Sequence, residues 1–189
     1  FRFYYDCLMG PNARSVIQAI KRINKLPELK TIAVGHGPLL HNQVNFWKGK
    51  YLEWSSNKSK GNEFVSVCYI SDYGYCDRLS QAISHGISKA DAQVQLIDLR
   101  CSDPQELTGL ISESKAVVIP TWSVDSDNEL KESIGTLFAA LKPKQFTAVY
   151  DAFGGNDEPI DSLASKLREL GQKEAFSPLR VKNIPDPII

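Results

Sequence analysis

From Phe64 onward the chain alternates short apolar runs with amphipathic stretches, and that alternation admits few folds other than a doubly wound α/β sheet. Five strands are expected, at Phe64 to Ile70, Gln93 to Leu99, Ala116 to Pro120, Phe146 to Tyr150 and roughly Ala175 to Val181. Helices are expected between them at Cys76 to Ala90, Pro104 to Glu113, Asn128 to Leu141 and Pro159 to Leu170. The second of these carries its own start signal. Asp103 supplies an N-cap carboxylate, Pro104 the fixed φ of a first helical position, and Glu106 a first-turn acid. Pro159 with Asp161 repeats the theme.

The first strand-to-helix junction is the best guide to chemistry. It reads F-V-S-V-C-Y-I, then S-D-Y-G-Y-C, then D-R-L-S-Q-A-I. A buried strand that breaks at small and hydroxyl residues and restarts as a helix aims backbone N–H groups and a helix N-terminus at one spot, which suits a phosphate. Ser71 offers a hydroxyl, and Gly74 allows positive φ or a close backbone approach; Asp72 and Cys76 suit the role less well. Neither the Walker lysine pattern nor the three-glycine dinucleotide fingerprint is present, so a mononucleotide flavin fits better than a nucleoside triphosphate or a dinucleotide.

In an open parallel sheet the ligand crevice lies at the carboxyl ends of the strands, where the strand order reverses. Three loops converge there: Ser71 to Cys76, Thr121 to Asn128, and Asp151 to Glu158. The candidate cofactor residues are therefore Ser71, Asp72, Tyr73, Gly74, Tyr75 and Cys76 from the first. Pro120, Thr121, Trp122 and Ser123 come from the second, and Asp151, Ala152, Phe153, Gly154 and Gly155 from the third. Tyr73, Trp122 and Phe153 offer aromatic faces for a flat ring, and the glycine-containing loops offer backbone amides for its polar edge. The plain alternative is a set of ordinary βα connections whose aromatics cover the sheet end. The acids Asp125, Asp127, Asp151, Asp157 and Glu158 lie on the same loops, either as a rim that steers a basic partner or as a solvated edge.

Composition narrows the partners. Of 189 residues 42% are hydrophobic and 23% charged, enough for one core plus an attached segment. Lys+Arg and Asp+Glu both total 22, so no basic footprint points to nucleic acid or an anionic membrane. No apolar run approaches the roughly twenty residues of a membrane span. The chain begins with Phe1 rather than Met, which reads as a piece of a longer polypeptide.

Residues 1–54 differ in character. Arg2 to Met9 is expected as a strand, Pro11 to Ile23 as a helix with Val16, Ile17, Ile20 and Ile23 on one face, and Leu29 to Val34 as a second strand. A helix from Gln43 to Trp54 gathers Val44, Trp47, Tyr51 and Trp54 on one side. The polar stretch Ser55 to Asn62 reads as a linker, residues 63–183 as the α/β domain, and residues 184–189, with Pro185 and Pro187, as the start of a linker to a following module.

His36, in G-H-G-P after a strand, has the access a metal ligand needs, but alone it makes no site. Cys76 at a helix start and Cys101 near the second strand's end are candidate redox thiols, and a disulfide between them is conceivable.

Together these motifs resemble the flavodiiron proteins of cyanobacteria and photosynthetic eukaryotes, most closely the B-type chloroplast form. The opening Y-Y-D-C-L-M-G-P and G-H-G-P-L-L at Gly35 to Leu40 resemble the end of the family's metallo-β-lactamase-like diiron domain. S-D-Y-G-Y-C-D-R-L-S-Q-A-I resembles the phosphate loop and first helix of its flavodoxin-like domain. P-T-W-S at Pro120 to Ser123 and D-A-F-G-G-N-D-E-P at Asp151 to Pro159 resemble its two ring-binding loops. Two departures stand out: Cys76 occupies a position where flavodoxins usually carry Thr or Ser, and Gly155 one where many relatives carry an aromatic.

The resemblance implies an FMN-binding relay domain, a five-stranded flavodoxin-like sheet, preceded by the C-terminal part of a metallo-β-lactamase-like domain in which His36 is an iron ligand of a diiron centre. It implies reduction of oxygen to water in the chloroplast stroma or the cyanobacterial cytoplasm, protecting photosystem I. Electrons would come from a flavin reductase module, ferredoxin or NAD(P)H, and pass to a second flavodiiron subunit placed head to tail. The alternative expectation is a flavodoxin-like module with weak or lost FMN binding, serving a structural, subunit-interaction or thiol-sensing role.

Overall fold

The computed structural model describes residues 1–10, 13–34, 38–59, 63–70, 74–122, 127–153 and 160–182. The chain divides into two compact units, Phe1–Asn62 and Glu63–Ile189. Among the described residues no helix is long and apolar enough to cross a membrane.

The first unit is largely helical. α1 (Arg2–Tyr4) runs directly into a π-helical turn, Tyr5–Met9, where a strand is expected from the apolar run. Tertiary packing overrides local propensity here. Helical spacing brings Arg2 onto Asp6 at 2.8 Å and turns Tyr5, fully buried, against Tyr51 and Trp54 at centroid distances of 5.3 and 5.2 Å. Those two rings belong to α3 (Val44–Ser59), which packs on α2 (Ala13–Ile23).

α3 therefore carries the expected aromatic face but continues five residues past Trp54 into the segment read as a linker, as far as Ser59. The reason is Ser55: its hydroxyl lies 2.8 Å from the Tyr5 hydroxyl and is completely buried, so a small polar residue is core rather than spacer. The expected second strand shrinks to β1 (Thr31–Ile32), paired antiparallel with β2 (Leu40–His41). Pro11 and the Gly35, His36 and Gly37 segment lie outside the described residues.

The second unit is the doubly wound sheet. In chain order it holds β3 (Phe64–Tyr69), α4 (Tyr75–Lys89), β4 (Gln93–Asp98), α5 (Pro104–Glu113), β5 (Ala116–Pro120), α6 (Asn128–Ala140), β6 (Phe146–Phe153) and α7 (Ile160–Glu169). Two short strands, β7 (Lys173–Glu174) and β8 (Leu179–Lys182), finish it. All pairings are parallel, in the order β4-β3-β5-β6-β7 with β8 also on β6.

Of the expected fifth strand, roughly Ala175 to Val181, only Leu179 to Val181 is strand, within β8, and β7 lies just ahead of it. Ala175 N–H still bonds Thr147 C=O at 2.8 Å, after which Phe176 to Pro178 leave the ladder, and Pro178 has no N–H to give one. Pairing with β8 in turn carries β6 on to Phe153, so Asp151, Ala152 and Phe153 are strand where a loop is expected.

Each face of the sheet has its own core. α4 covers Val67, Val118, Ala148 and Tyr150 with Leu79, while α5, α6 and α7 cover Phe64, Cys68, Val117, Ile119 and Val149. The caps act as the sequence indicates at α5, where Asp103 accepts from the N–H groups of Gln105 (3.0 Å) and Glu106 (3.1 Å). Asp127 does the same for α6, accepting from Leu130 N–H at 2.8 Å.

Candidate functional site

The sheet opens where its order reverses. β3 pairs with β4 as far as Tyr69 opposite Asp98, and β5 with β6 as far as Pro120 opposite Tyr150. Between β3 and β5, however, the ladder stops at Val67 opposite Val118. The next rung would need an N–H from Pro120, which has none, and the carboxyl ends of these two central strands, where the strand order reverses, are where a doubly wound sheet offers a ligand its crevice.

Tyr150 makes the floor of that gap. β5 lies between β6 and β3, and the Tyr150 side chain reaches past it to donate its hydroxyl to the Cys68 carbonyl at 2.7 Å. Burial pushes the Tyr150 phenol well above its usual range, with neighbouring Cys76, Cys68 and Asp77 adding to the shift and the Ser80 hydroxyl opposing it. The phenol therefore stays protonated and remains a donor. Burial likewise pushes the Cys68 thiol far up, which leaves it an inert apolar filler.

Gly74 stands at the mouth. It is the N-cap of α4 with φ +79° and ψ −3°, a left-handed conformation that disfavours any residue with a Cβ. Space is not the reason, because a Cβ there would touch nothing within 4 Å. The helix N-terminus behind it carries Tyr75, Cys76 and Asp77 in its first turn. Cys76 is half-buried and Cys101 exposed, and no disulfide joins them in this structure. Ser71, Asp72 and Tyr73 lie outside the described residues.

On the other side of the gap, Thr121 donates its hydroxyl to Asp151 Oδ1 at 2.7 Å, and its N–H continues the strand pairing to Tyr150 C=O at 3.0 Å. Thr121 is 8% and Asp151 4% exposed. Trp122, next along, is half-buried; its indole leans edge-on over Phe138 of α6, with centroids 6.0 Å apart. It borders a cavity of about 540 Å³ between α6 and α7, lined also by Ile134, Leu163 and Leu170 with Lys166 at the rim. Pro120 is buried at the strand end and Ala152 half-buried one residue after Asp151; Phe153 is described only as strand backbone. Ser123, Gly154 and Gly155 lie outside the described residues.

Of the acids assigned to the rim, Asp151 is instead buried on Thr121. Asp127 caps α6 and receives the Arg100 guanidinium, so its carboxyl is held below the usual range, first by the Leu130 N–H and then by Arg100. Asp125, Asp157 and Glu158 lie outside the described residues. Sequence reasoning missed Tyr150 and Arg100. An aromatic inside a buried strand carries no mark of a partner two strands away, and only the arginine's place just after β4 hinted at a role.

The left-handed glycine before a helix N-terminus fits a phosphate, while the Thr121 hydroxyl is taken up by Asp151 and the Trp122 indole lies on Phe138. Among the described residues no group of three or more His, Cys, Asp or Glu side chains is placed to hold an ion.

This strand order and this crevice define a flavodoxin-like domain. No protein-family model matches the chain. It is 45% identical to diflavin flavoprotein A 1 of Synechocystis over 185 residues, 98% of this chain and 32% of that protein. Putative diflavin flavoprotein A 3 of Nostoc is 44% identical with the same coverage.

Among solved structures, the flavodoxin-like domain of a Synechococcus protein superposes with TM-score 0.61 at 43% identity, covering 66% of this chain and 86% of that domain. The metal-soaked Flv1 flavodiiron core of Synechocystis superposes with TM-score 0.68 at 31% identity, covering 97% of this chain and 46% of that core. The chain belongs to the diflavin flavoprotein branch of the flavodiiron proteins, and it spans about a third of the length of the curated relatives it matches.

Proposed function

We propose that the second unit binds FMN in the gap between β3 and β5 and serves as the electron relay of a flavodiiron oxidoreductase. The observation that carries this reading is the β3–β5 ladder ending at Val67 and Val118, with Gly74 held left-handed at the start of α4 beside it. In this reading the backbone around Gly74 and the N-terminus of α4 hold the phosphate, with Ser71 as hydroxyl donor. Trp122 and the loop after β6 border the ring, and the buried Tyr150 hydroxyl keeps the floor closed to water. Bound FMN would supply one- and two-electron transfer at its ring.

In the whole protein, His36 would contribute to a diiron centre in a metallo-β-lactamase-like domain, and the reaction would be reduction of oxygen to water, relieving photosystem I. The donor would be ferredoxin, NAD(P)H or an attached flavin reductase module. The electron acceptor would be a second flavodiiron subunit set head to tail, in the chloroplast stroma or a cyanobacterial cytoplasm. The relatives' names, diflavin flavoprotein and flavodiiron core, support the flavin and iron parts of this reading.

One observation favours a second reading. Cys76 sits half-buried in the first turn of α4, where a hydroxyl would be the stronger donor to phosphate, so the domain could hold FMN weakly and act instead as a thiol-bearing interaction module. Titration decides between them. Quenching of FMN fluorescence on adding protein, at micromolar or tighter affinity, supports the relay; saturating FMN with no quenching and no flavin absorbance on the purified protein sinks it.

A further inference from the structure

α6 packs against α5 and α7 against β6, and between these two helices lies the cavity of about 540 Å³ that Trp122 borders. One face of each helix supplies a wall. On α6 it is Ile134 and Phe138, one turn apart; on α7 it is Ser162, Lys166 and Leu170, each one turn on from the last, with Leu163 beside them. From Ser162 to Leu170 the α7 wall runs about 12 Å at the helical rise. Protein interiors leave few voids larger than a water molecule, and a groove of this volume falls instead in the range of sites that hold a small molecule.

Its chemistry is lopsided. Trp122 and Phe138 meet edge-on with centroids 6.0 Å apart, Ile134 and Leu163 are buried beside them, and Leu170 is 54% exposed at the C-terminal end of α7. The Thr121 hydroxyl is taken up by Asp151. Among the described residues no carboxylate lines the cavity, and the one charged side chain that does, the exposed Lys166, forms no ion pair. Two neighbours on α7 are already paired, Asp161 with Arg180 and Arg168 with Glu174 at 3.8 Å. A lysine lays its methylenes along apolar surface and keeps its ammonium at the rim, where a single negative charge complements it. Aromatic walls that meet edge-on favour a flat ring between them.

We propose that the groove between α6 and α7 is a second small-molecule site, taking an aromatic monocarboxylate whose ring lies against Trp122, Phe138 and Leu163 and whose carboxylate meets Lys166. Among the described residues none from β3 or α4 lines it, so the site goes beyond the FMN reading and does not depend on it.

The probe is naphthoate, with neutral naphthamide and cationic naphthylmethylamine as matched controls, titrated calorimetrically into the flavin-free chain. Naphthoate should bind at about 100 µM or tighter, a modest gain per ligand atom. Naphthamide should bind about threefold more weakly, the difference one exposed ion pair makes, and the amine more weakly still. Lys166→Met should bring naphthoate down to the level of the amide and leave the amide unchanged. Lys166→Glu should invert the order, with the amine now bound best; thermal unfolding of both variants shows that they fold. In the parent, naphthoate should shift the amide resonances of Ile134, Phe138, Leu163 and Lys166.

No binding at millimolar naphthoate, equal affinity for the three probes, no inversion in a folded Lys166→Glu, or shifts that fall elsewhere would overturn the site. Two other occupants are tested by the same spectra. If these resonances move on dilution of the protein alone, a second copy fills the groove; if FMN displaces naphthoate, the groove is part of the flavin crevice. Either result also overturns the proposal, whereas the FMN reading is decided by its own titration.

Discussion

Replacing Tyr150 with Phe removes one oxygen from the middle of the molecule, and the structure says what that oxygen holds. Alternate carbonyls of β3 face its two neighbours: Tyr69 C=O accepts Leu99 N–H on the β4 side at 3.0 Å, and Phe64 C=O accepts Lys115 N–H at 2.8 Å. Cys68 C=O belongs to the second set, but its partner along β5 would be Pro120, which has no N–H, so the Tyr150 hydroxyl supplies the donor. Both residues are at 0% exposure.

Tyr150→Phe strips that buried carbonyl of its donor, and an unsatisfied buried acceptor costs about 1–3 kcal/mol. Taking about 2 kcal/mol, a domain of this size should lose roughly 5 °C in Tm. Near-UV circular dichroism on heating and urea unfolding of the same samples give the number, with the urea slope expected to stay constant because the buried area barely changes.

The same residue predicts an alkaline limit. Burial favours the neutral phenol, so the folded pKa lies above the unfolded one; the stabilisation is complete below the ordinary value near 10 and declines as pH rises through the folded value. Tyr150→Phe should flatten that decline while leaving the earlier part due to Cys68, whose ordinary value is 9.0. A variant as stable as the parent at pH 7, or one with an unaltered alkaline decline, would refute this account of the floor.

Three smaller changes probe other parts of the chain. Cys76→Thr puts a stronger donor at the first turn of α4 and should tighten FMN binding by several-fold without altering riboflavin binding, as equilibrium dialysis of both flavins would reveal. Asp103→Ala removes the acceptor of two α5 N–H groups and should cost about 1 kcal/mol in urea unfolding. Tyr5→Phe leaves the buried Ser55 hydroxyl without its 2.8 Å partner and should cost about 1–2 kcal/mol; hydrogen exchange should then speed up along the C-terminal half of α3, and an unchanged exchange rate there would mean the bond contributes nothing.

The doubly wound sheet was legible because its signals are local. Phe64 to Tyr69 and Ala116 to Pro120 are apolar runs between turn residues, and Asp103-Pro104 announces a helix from neighbouring positions alone. What stayed hidden depends on partners distant in the chain. Nothing near Arg2 to Met9 says that Tyr5 will pair with Ser55, fifty positions away, yet that contact decides both the helical start and the length of α3. The candidate site follows the same division. Gly74 could be singled out from its loop, whereas the burial of Asp151 depends on Thr121, thirty residues earlier, and Asp127 became structural only once Arg100 was seen beside it. An acidic residue on a loop looks the same in a sequence whether it steers a partner or ties down the chain.

The β3–β5 ladder has no rung beyond Val67 and Val118, which raises the question of what holds the carboxyl ends of these two central strands. Three side-chain bonds answer it. Tyr150 to Cys68 ties β6 to β3 beneath the gap, Thr121 to Asp151 ties β5 to β6 on one flank, and Arg100 to Asp127 ties the turn after β4 to the start of α6 above β5. None of the three is a backbone pair, and two of them draw on β6, so the carboxyl edge is braced by its own side chains. A crevice fixed in this way needs little rearrangement to accept a flat ligand, and association saves the ordering cost that mobile strand ends would impose. Loss of any one tie should therefore weaken ligand binding as well as lower Tm, with the smallest loss of Tm at Thr121–Asp151, whose bond lies one residue beyond the last β5–β6 backbone pair.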